Sequence, residues 1–599
     1  MPTLLPHQTA LEQRAEQVYL YQSKHTLGDV PRHVAEWLHQ YAEQTPDRPF
    51  LAERSGEGWR KLSYLDCLQQ VRNLAQSIVA AGLTAETPIL VISGNSVNHA
   101  LLSLAAQYVG VPVVPVAEQY ALIEAAHPRL QYVFELTQPG MVYAEDGQEY
   151  AAALGLEWMA GTPKLVSVNV PAGMQSFEQF LKGDSADIDS IYGALTPDSV
   201  AKILLTSGST SNPKGVRTTQ RMMCTNQVQL ATALPFVAER PPVVVDWLPW
   251  NHVFGGSHNF NLMLANGGTF YIDEGKPVKG LFEKTLENLS LQSATLSFNV
   301  PVGFAMLLEA LNSNKQLRDT YFAELDMMFY AGASLPQPVW QGLEDAAMAS
   351  IGEIPLMTSS WGLTETAPAA VLQHQRSPSS GVVGVPLPGV DCKLIDDGEG
   401  RFEVRVKGPS IFGAYHNSAE KTAEAFDEEG FFITGDAMKF VDPSNPDKGL
   451  RFDGRISEDF KLLTGTWVRA ANLRLDILPA LAGIASDIVI CGHNRDEIGL
   501  LVFLTPAMAA ETHLQIESGS AFEAQLANDI RERIAQGAWQ FAGSSMRVGR
   551  VILTAEPPSI GEGEITAKGN LNFNKILSRR ADVVARLYSD HAHVIKVGA

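Results

Sequence analysis

Residues Leu204 to Val216 read LLTSGSTSNPKGV. The two leucines close an apolar run, and Thr206, Ser207, Gly208, Ser209, Thr210 and Ser211 follow without a break before Asn212, Pro213, Lys214 and Gly215. Such a turn offers backbone N–H and hydroxyl donors to anionic oxygens, with glycine where backbone must come close and Lys214 adding charge. Ser, Thr, Gly and Pro are also the ordinary material of surface loops, so the turn alone names no enzyme. The chain has neither a Gly-x-x-x-x-Gly-Lys-Ser/Thr loop nor a Gly-x-Gly-x-x-Gly after a strand.

On both sides of this turn the pattern alternates between short apolar runs and helical periodicity. PILVISG (Pro88 to Gly94), a helix over Val97 to Tyr108 and VPVVPV (Val111 to Val116) read as a βαβ unit in a parallel sheet. The alternation resumes with VVVDWLP (Val243 to Pro249), TFYID (Thr269 to Asp273), SATLSF (Ser293 to Phe298) and MMFYAG (Met327 to Gly332), with helices near Leu281 to Leu289 and Pro301 to Leu311. From Gly381 the texture changes to short strands with Gly- and Pro-rich turns, a β-rich subdomain closing the body. ISEDFK, after Arg455, suits a hinge. Beyond it the strands IVICGH, GLLVFL and RVILTAE and a helix over Phe522 to Ile534 complete a compact α/β unit. The expected fold is α/β: a large body of several subdomains over 1–456 and a small mobile α+β domain over 457–599.

Composition limits the function. A chain of 599 residues needs more than one core, and 45% hydrophobic with 19% charged residues is ordinary for a globular enzyme. The net charge of −21 argues against nucleic-acid binding, so an anionic substrate must meet local cations. The four cysteines are scattered without a Cys-x-x-Cys pair, which predicts neither disulfides nor a zinc site. The first residues lack the basic start and apolar core of a signal peptide, and Ala100 to Ala117 is broken by Gln107, Gly110, Pro112 and Pro115. A cytoplasmic protein with no membrane span is the expectation.

Other segments carry possible chemistry. TSSWGLTETAP (Thr358 to Pro368) sets a flat ring at Trp361, close backbone approach at Gly362, a hydroxyl at Thr364 and a carboxylate at Glu365 within five residues. AGASLP (Ala331 to Pro336), PWNHVFG (Pro249 to Gly255), FITGD with Asp436 and FDGR with Arg455 follow the same theme of compact, polar turns. A carboxylate accepts from two vicinal hydroxyls, and arginine is a permanent multidentate donor. No Gly-x-Ser-x-Gly elbow is present, which weakens a serine-hydrolase reading.

Taken in order, these segments resemble the motifs of adenylate-forming enzymes: acyl-CoA synthetases, peptide-synthetase adenylation domains and luciferases. The resemblance runs from about Ala35 to Asn574. It departs at Ser211, often Gly; at Trp361, usually Tyr; and at Ser457, commonly Asp or Lys. It implies that the turn from Thr206 to Lys214 grips ATP phosphates and that Trp361 stacks on adenine above Gly332 and Ala333. Thr364 would contact the α-phosphate, Glu365 would hold Mg²⁺, and Asp436 and Arg455 would grip the ribose. His252 would lie between the acid pocket and the thiol tunnel, and Gly465 would approach the pantetheine of coenzyme A. Lys568, in GEITAKGNLN, corresponds to the mobile lysine that reaches the carboxylate and α-phosphate. Either Arg469 or Arg474 could meet the phosphates of coenzyme A.

The segments SEDFKLLTGTWV and GEITAKGNLN resemble the feruloyl-CoA synthase branch, which implies a hydroxycinnamic or other aromatic acid. A CoA ligase for a non-aromatic acid, an acyl-AMP ligase loading a carrier protein and a catalytically lost nucleotide sensor are the alternatives. The chain ends soon after the lysine segment without a carrier-like extension, which favours a free thiol. The acyl pocket is expected near His252, Phe254, Phe298 and Gly332.

Overall fold

The computed structural model describes residues 3–206, 212–278, 280–398, 400–511, 513–559, 562–565 and 571–597. Its largest sheet has 15 strands. A parallel run forms its middle: Thr269–Ile272, Val243–Asp246, Leu296–Asn299, Met327–Tyr330 and Leu356–Gly362. These strands are short and almost wholly buried, as parallel strands covered on both faces are. From Leu356–Gly362 the sheet continues antiparallel through Ala369–Leu372, Val382–Pro386, Leu450–Arg455, Phe432–Phe440, Phe402–Lys407 and Asp391–Asp396. The β-rich segment from Gly381 is therefore hydrogen-bonded into the same sheet as the parallel strands.

One edge of that sheet comes from the N-terminus. The hairpin Thr9–Ala15 and Val18–Ser23 lays its second strand against Asp391–Asp396. Asp447 holds it there, accepting from the Thr9 N–H at 2.8 Å and the Thr9 hydroxyl at 2.6 Å. Tyr21 buries its ring and donates its hydroxyl to Pro446 O at 2.7 Å.

A second sheet of seven strands contains the expected βαβ unit. Ile89–Val91 and Val113–Pro115 pair in parallel, joined by the helix Val97–Tyr108, whose N-terminus Ser96 caps by accepting from the His99 N–H. Val200–Thr206 extends this sheet and pairs antiparallel with Lys214–Thr219, so the hydroxyl-rich turn joins two neighbouring strands.

The C-terminal part builds its own six-stranded sheet from Ala485–Cys491, Ile498–Leu504, Val548–Thr554 and shorter strands. Two apolar clusters drawn only from residues after Asp459 fill its faces. Its helix spans Ala524–Ala535, with Leu526, Ile530 and Ile534 buried. Phe522, read from sequence as the first helical residue, instead ends a strand. The intervening Glu523 is extended and accepts from the N–H groups of Gln525 and Leu526, which starts the helix after it. The four cysteines are free and buried. Among the described residues no helix is long and apolar enough to cross a membrane.

Candidate active site

The motif-bearing turns gather because each leaves the same edge of the sheets. Residues 247–253 follow Val243–Asp246, residues 331–336 follow Met327–Tyr330, and 363–366 follow Leu356–Gly362. These strands are parallel, with Leu296–Asn299 between the first two, so their carboxyl ends form one rim, where open α/β sheets receive ligands.

Trp361 and Asp436 meet across this rim. The buried Trp361 indole donates to Asp436 Oδ2 at 2.8 Å, and Arg455 Nε lies 3.5 Å from Oδ1. Asp436 and Arg455 are register partners on neighbouring strands, which fixes the separation that the sequence could not. Gly362 has no space for a side chain, because a Cβ there would overlap Pro368 O. Gly332 stands at φ 90°, a conformation that favours glycine, and with Ala333 lies exposed at the end of its strand.

Just after Trp361 and Gly362, Thr364 and Glu365 are buried on a short 3₁₀ turn. Tyr415 donates to Glu365 Oε1 at 2.8 Å and accepts from Lys214 Nζ at 2.9 Å. The Lys214 ammonium also sits 4.1 Å over the Tyr415 ring. Burial lowers the Lys214 pKa and the Glu365 carboxylate opposes that shift. Tyr415 thus ties the end of the hydroxyl-rich turn to the Glu365 turn. Backbone bonds reinforce it, from the His416 N–H to Gly215 O at 2.7 Å and from the Phe412 N–H to Glu365 O at 2.8 Å. Thr206 ends its strand beside this cluster, whereas Ser207, Gly208, Ser209 and Thr210 lie outside the described residues.

His252 is half-buried, and its Nδ1 accepts from the Phe254 N–H at 3.2 Å. Its neighbour Asn251 lines a cleft with Leu205, Pro213, Pro115 and Tyr120. The loop is anchored by Asn95, which donates to Leu248 O at 2.9 Å and accepts from the Trp250 N–H at 2.9 Å. Lys202, fully buried, donates to Gly256 O on the following π-helical turn Phe254–Asn259, and burial lowers its pKa to about 8.

Lys568 also lies outside the described residues, but its flanks are placed. Ile565 and Leu571 pair as a bridge. Glu564 is buried and accepts from Arg580 Nε at 2.7 Å. A Cβ on Gly563 would overlap the Arg129 guanidinium, so the base of the lysine segment rests on Arg129. Arg129 in turn stacks over Tyr120, one wall of the cleft beside Pro213 and Asn251. Gly563 thus rests, through Arg129, behind Tyr120, while Pro213 lines the same cleft directly.

Gly465 occupies an exposed turn at φ 82°, and Leu463 beside it donates its N–H to Arg495 O at 2.9 Å. The turn thus packs on the C-terminal sheet, and the described contacts do not bring it to the rim. Arg474 is taken up in a bidentate pair with Asp487, both bonds 2.8 Å. Arg469 lies 3.9 Å from Asp453.

A model of the AMP-binding enzyme family matches residues 38–416. The chain belongs to this family. It is 24% identical to a carboxylic acid reductase of Mycobacterium marinum over 91% of its own length and 49% of the reductase. It is 27% identical to a malonate–CoA ligase of Arabidopsis thaliana over 61% of its length and 59% of the ligase. The chain thus spans about half to three fifths of these relatives. The crystal structure of ATP-bound MatB from Rhodopseudomonas palustris superposes with a TM-score of 0.67 at 22% identity, covering 92% of this chain and 99% of that one.

In this AMP-binding enzyme two site elements were invisible to motif reading. Tyr415 sits in GPSIFGAYHN, but nothing in its spacing from Glu365 shows that the two meet. Arg401 forms a buried cluster at the proposed hinge, 2.6 Å from Asp459 and 3.0 Å from Asp453. Asn472 donates to the same Asp453 at 3.1 Å. Only a long-range fold brings these residues together, so no local signal could have marked them. The short 3₁₀ turn Ile456–Glu458 lies beside this cluster, and burial raises the Glu458 pKa.

Proposed function

We propose that the chain is an ATP-dependent carboxylic acid:CoA ligase that works in two steps, on a hydroxycinnamic or other aromatic acid. The observation that carries this reading is that Trp361 to Glu365 joins two polar clusters along one rim. Asp436 and Arg455 stand at one end, and Glu365, Tyr415 and Lys214 at the other. A nucleotide laid along this stretch would place its ribose against Asp436 and its phosphates beside Lys214, Thr364 and the hydroxyl-rich turn.

In the first step a carboxylate oxygen attacks the α-phosphorus, forming acyl-AMP and releasing pyrophosphate. Negative charge grows on the phosphoryl oxygens, and Lys568, Lys214 and the hydroxyl donors would stabilise it. One buried carboxylate beside a threonine hydroxyl, held by Tyr415, fits the oxygen donors that Mg²⁺ takes when phosphates complete its shell. Glu365 would hold that ion, which supplies charge neutralisation. In the second step the thiolate of coenzyme A attacks the acyl carbon and AMP leaves. The segment after residue 456 would turn about Ser457 and Glu458, withdraw Lys568 and bring Gly465 to the pantetheine, because lysine and thiol need the same place.

The reading is tested by a pyrophosphate-release screen with ferulate, coumarate, benzoate and medium-chain fatty acids, each with and without coenzyme A. Acid-dependent release followed by a CoA thioester is expected. Release with transfer only to a pantetheinylated carrier would replace the CoA step, and no acid-dependent release would sink the reading.

A further inference from the structure

Strands Leu296–Asn299 and Met327–Tyr330 run in parallel register, which sets Phe298 opposite Phe329. The π-helical turn Phe254–Asn259 contributes Phe254 and His258 to the same cluster. His258 lies 5.0 Å from Phe329, 5.7 Å from Phe298 and 5.6 Å from Phe254, ring centre to ring centre. The strand that carries Phe329 ends at the exposed Gly332 turn, so this packed aromatic cluster lies three residues below the open rim.

The two nitrogens of His258 are not equivalent. Asp246 accepts from the Leu248 N–H at 3.0 Å and from Asn259 Nδ2 at 2.7 Å. That orientation leaves Asn259 Oδ1 facing His258 Nδ1 at 2.8 Å. An amide oxygen only accepts, so Nδ1 carries the proton and Nε2 presents a bare lone pair. Burial keeps the ring neutral, lowering its pKa to about 4. Nε2 is buried and meets no hydrogen-bond partner among the described residues. A buried acceptor without a donor is costly, and one held by a relay from Asp246 through Asn259 cannot turn away to find another.

We infer that His258 Nε2 is the specificity-determining acceptor of the acid pocket, taking a hydrogen bond from a hydroxyl at the far end of a planar aromatic acid. The inference rests on the proposed activation of aromatic carboxylates and names the group that the pocket reads. Phe254, Phe298 and Phe329 receive the ring, and His258 receives its polar tip. A site built to bond a hydroxyl rejects the analogue lacking it, because the acceptor then stays unmet.

The test compares kcat/KM in pyrophosphate release for 4-hydroxycinnamate and unsubstituted cinnamate. It is run at pH 8, where Asp246, raised by burial to about 7, is ionised. Wild type is expected to favour the hydroxylated acid at least ~10-fold. His258→Phe keeps a ring without an acceptor and is expected to bring the ratio within about twofold while still turning over cinnamate. His258→Gln, which restores an acceptor oxygen, is expected to keep a preference. A wild-type ratio near one overturns the inference whatever the variants do, and so does an unchanged ratio in H258F with both acids slowed together; carboxylate activation then still stands. Wild type that releases pyrophosphate with aliphatic acids and with neither cinnamic acid overturns the aromatic reading and this inference with it.

Discussion

Tyr415→Phe isolates one hydroxyl. The ring remains, so the Lys214 ammonium keeps its position 4.1 Å above it, and only the two bonds of the phenol are lost, to Glu365 Oε1 at 2.8 Å and from Lys214 at 2.9 Å. Glu365 is 6% exposed, so its carboxylate oxygen cannot exchange the lost donor freely for water. A hydrogen bond to a charged group is worth about 1.5–3 kcal/mol, and a buried partner left unmet recovers little of it from water. If Tyr415 holds Glu365 and Lys214 for the phosphates, the loss appears in the transition state. At 1.36 kcal/mol per tenfold it predicts a fall of roughly 10- to 150-fold in kcat/KM for ATP. Acid-dependent pyrophosphate release measures this directly. The thioester step from supplied acyl-AMP is expected to change much less. A Y415F enzyme within twofold of wild type in adenylation, or one slowed equally in both steps, would refute the reasoning.

Further expectations follow from other parts of the fold. Arg401→Met takes the 2.6 Å partner from the buried Asp459 side chain, while Asp453 keeps Lys439 at 3.5 Å and Arg469 at 3.9 Å; breaking a buried pair costs up to about 3–5 kcal/mol. Thermal unfolding and limited proteolysis should show loosening between residues 453 and 472, and an unchanged cleavage pattern there would count against a hinge clamp. Acid stability follows from histidines buried neutral: His33, His99 and His258 are lowered to about 4 and His374 to about 3, each mainly by burial. Their folded pKa lies below the unfolded value, so stability present above pH 6.5 is lost as pH falls toward 4. The raised Asp246, near 7, works in the opposite sense. At pH 5 each fully buried histidine, such as His99, contributes a loss of about 2 kcal/mol relative to pH 7. A urea midpoint that does not fall between pH 7 and pH 5 would contradict this.

Much of the architecture was legible locally. The helix Val97–Tyr108 follows from its apolar periodicity and the capping Ser96, and the parallel strands from short β-rich runs ending in turns. The rim was legible only through motif order, since Trp361 and Asp436 meet across the sheet. The N-terminal hairpin was missed because TALEQRA, an edge strand, exposes nearly all its side chains and so lacks the alternation that marks a half-buried strand. Phe522 was misplaced because its apolar side chain fits the helical stripe, while the cap at Glu523 competes for the same residues. The bare nitrogen of His258 has no local signal, because its protonation depends on Asn259 and Asp246, one its neighbour in sequence and one at the end of a preceding strand.

We propose that one nucleotide is gripped from two sides, by the turn near residue 210 and by the lysine segment near the C-terminus, and that the second grip serves adenylation alone. Assaying Lys568→Ala in both half-reactions tests it most directly. Acid-dependent pyrophosphate release is expected to collapse while supplied acyl-AMP and coenzyme A are still converted to thioester. Equal loss of both, or undiminished pyrophosphate release, would contradict it.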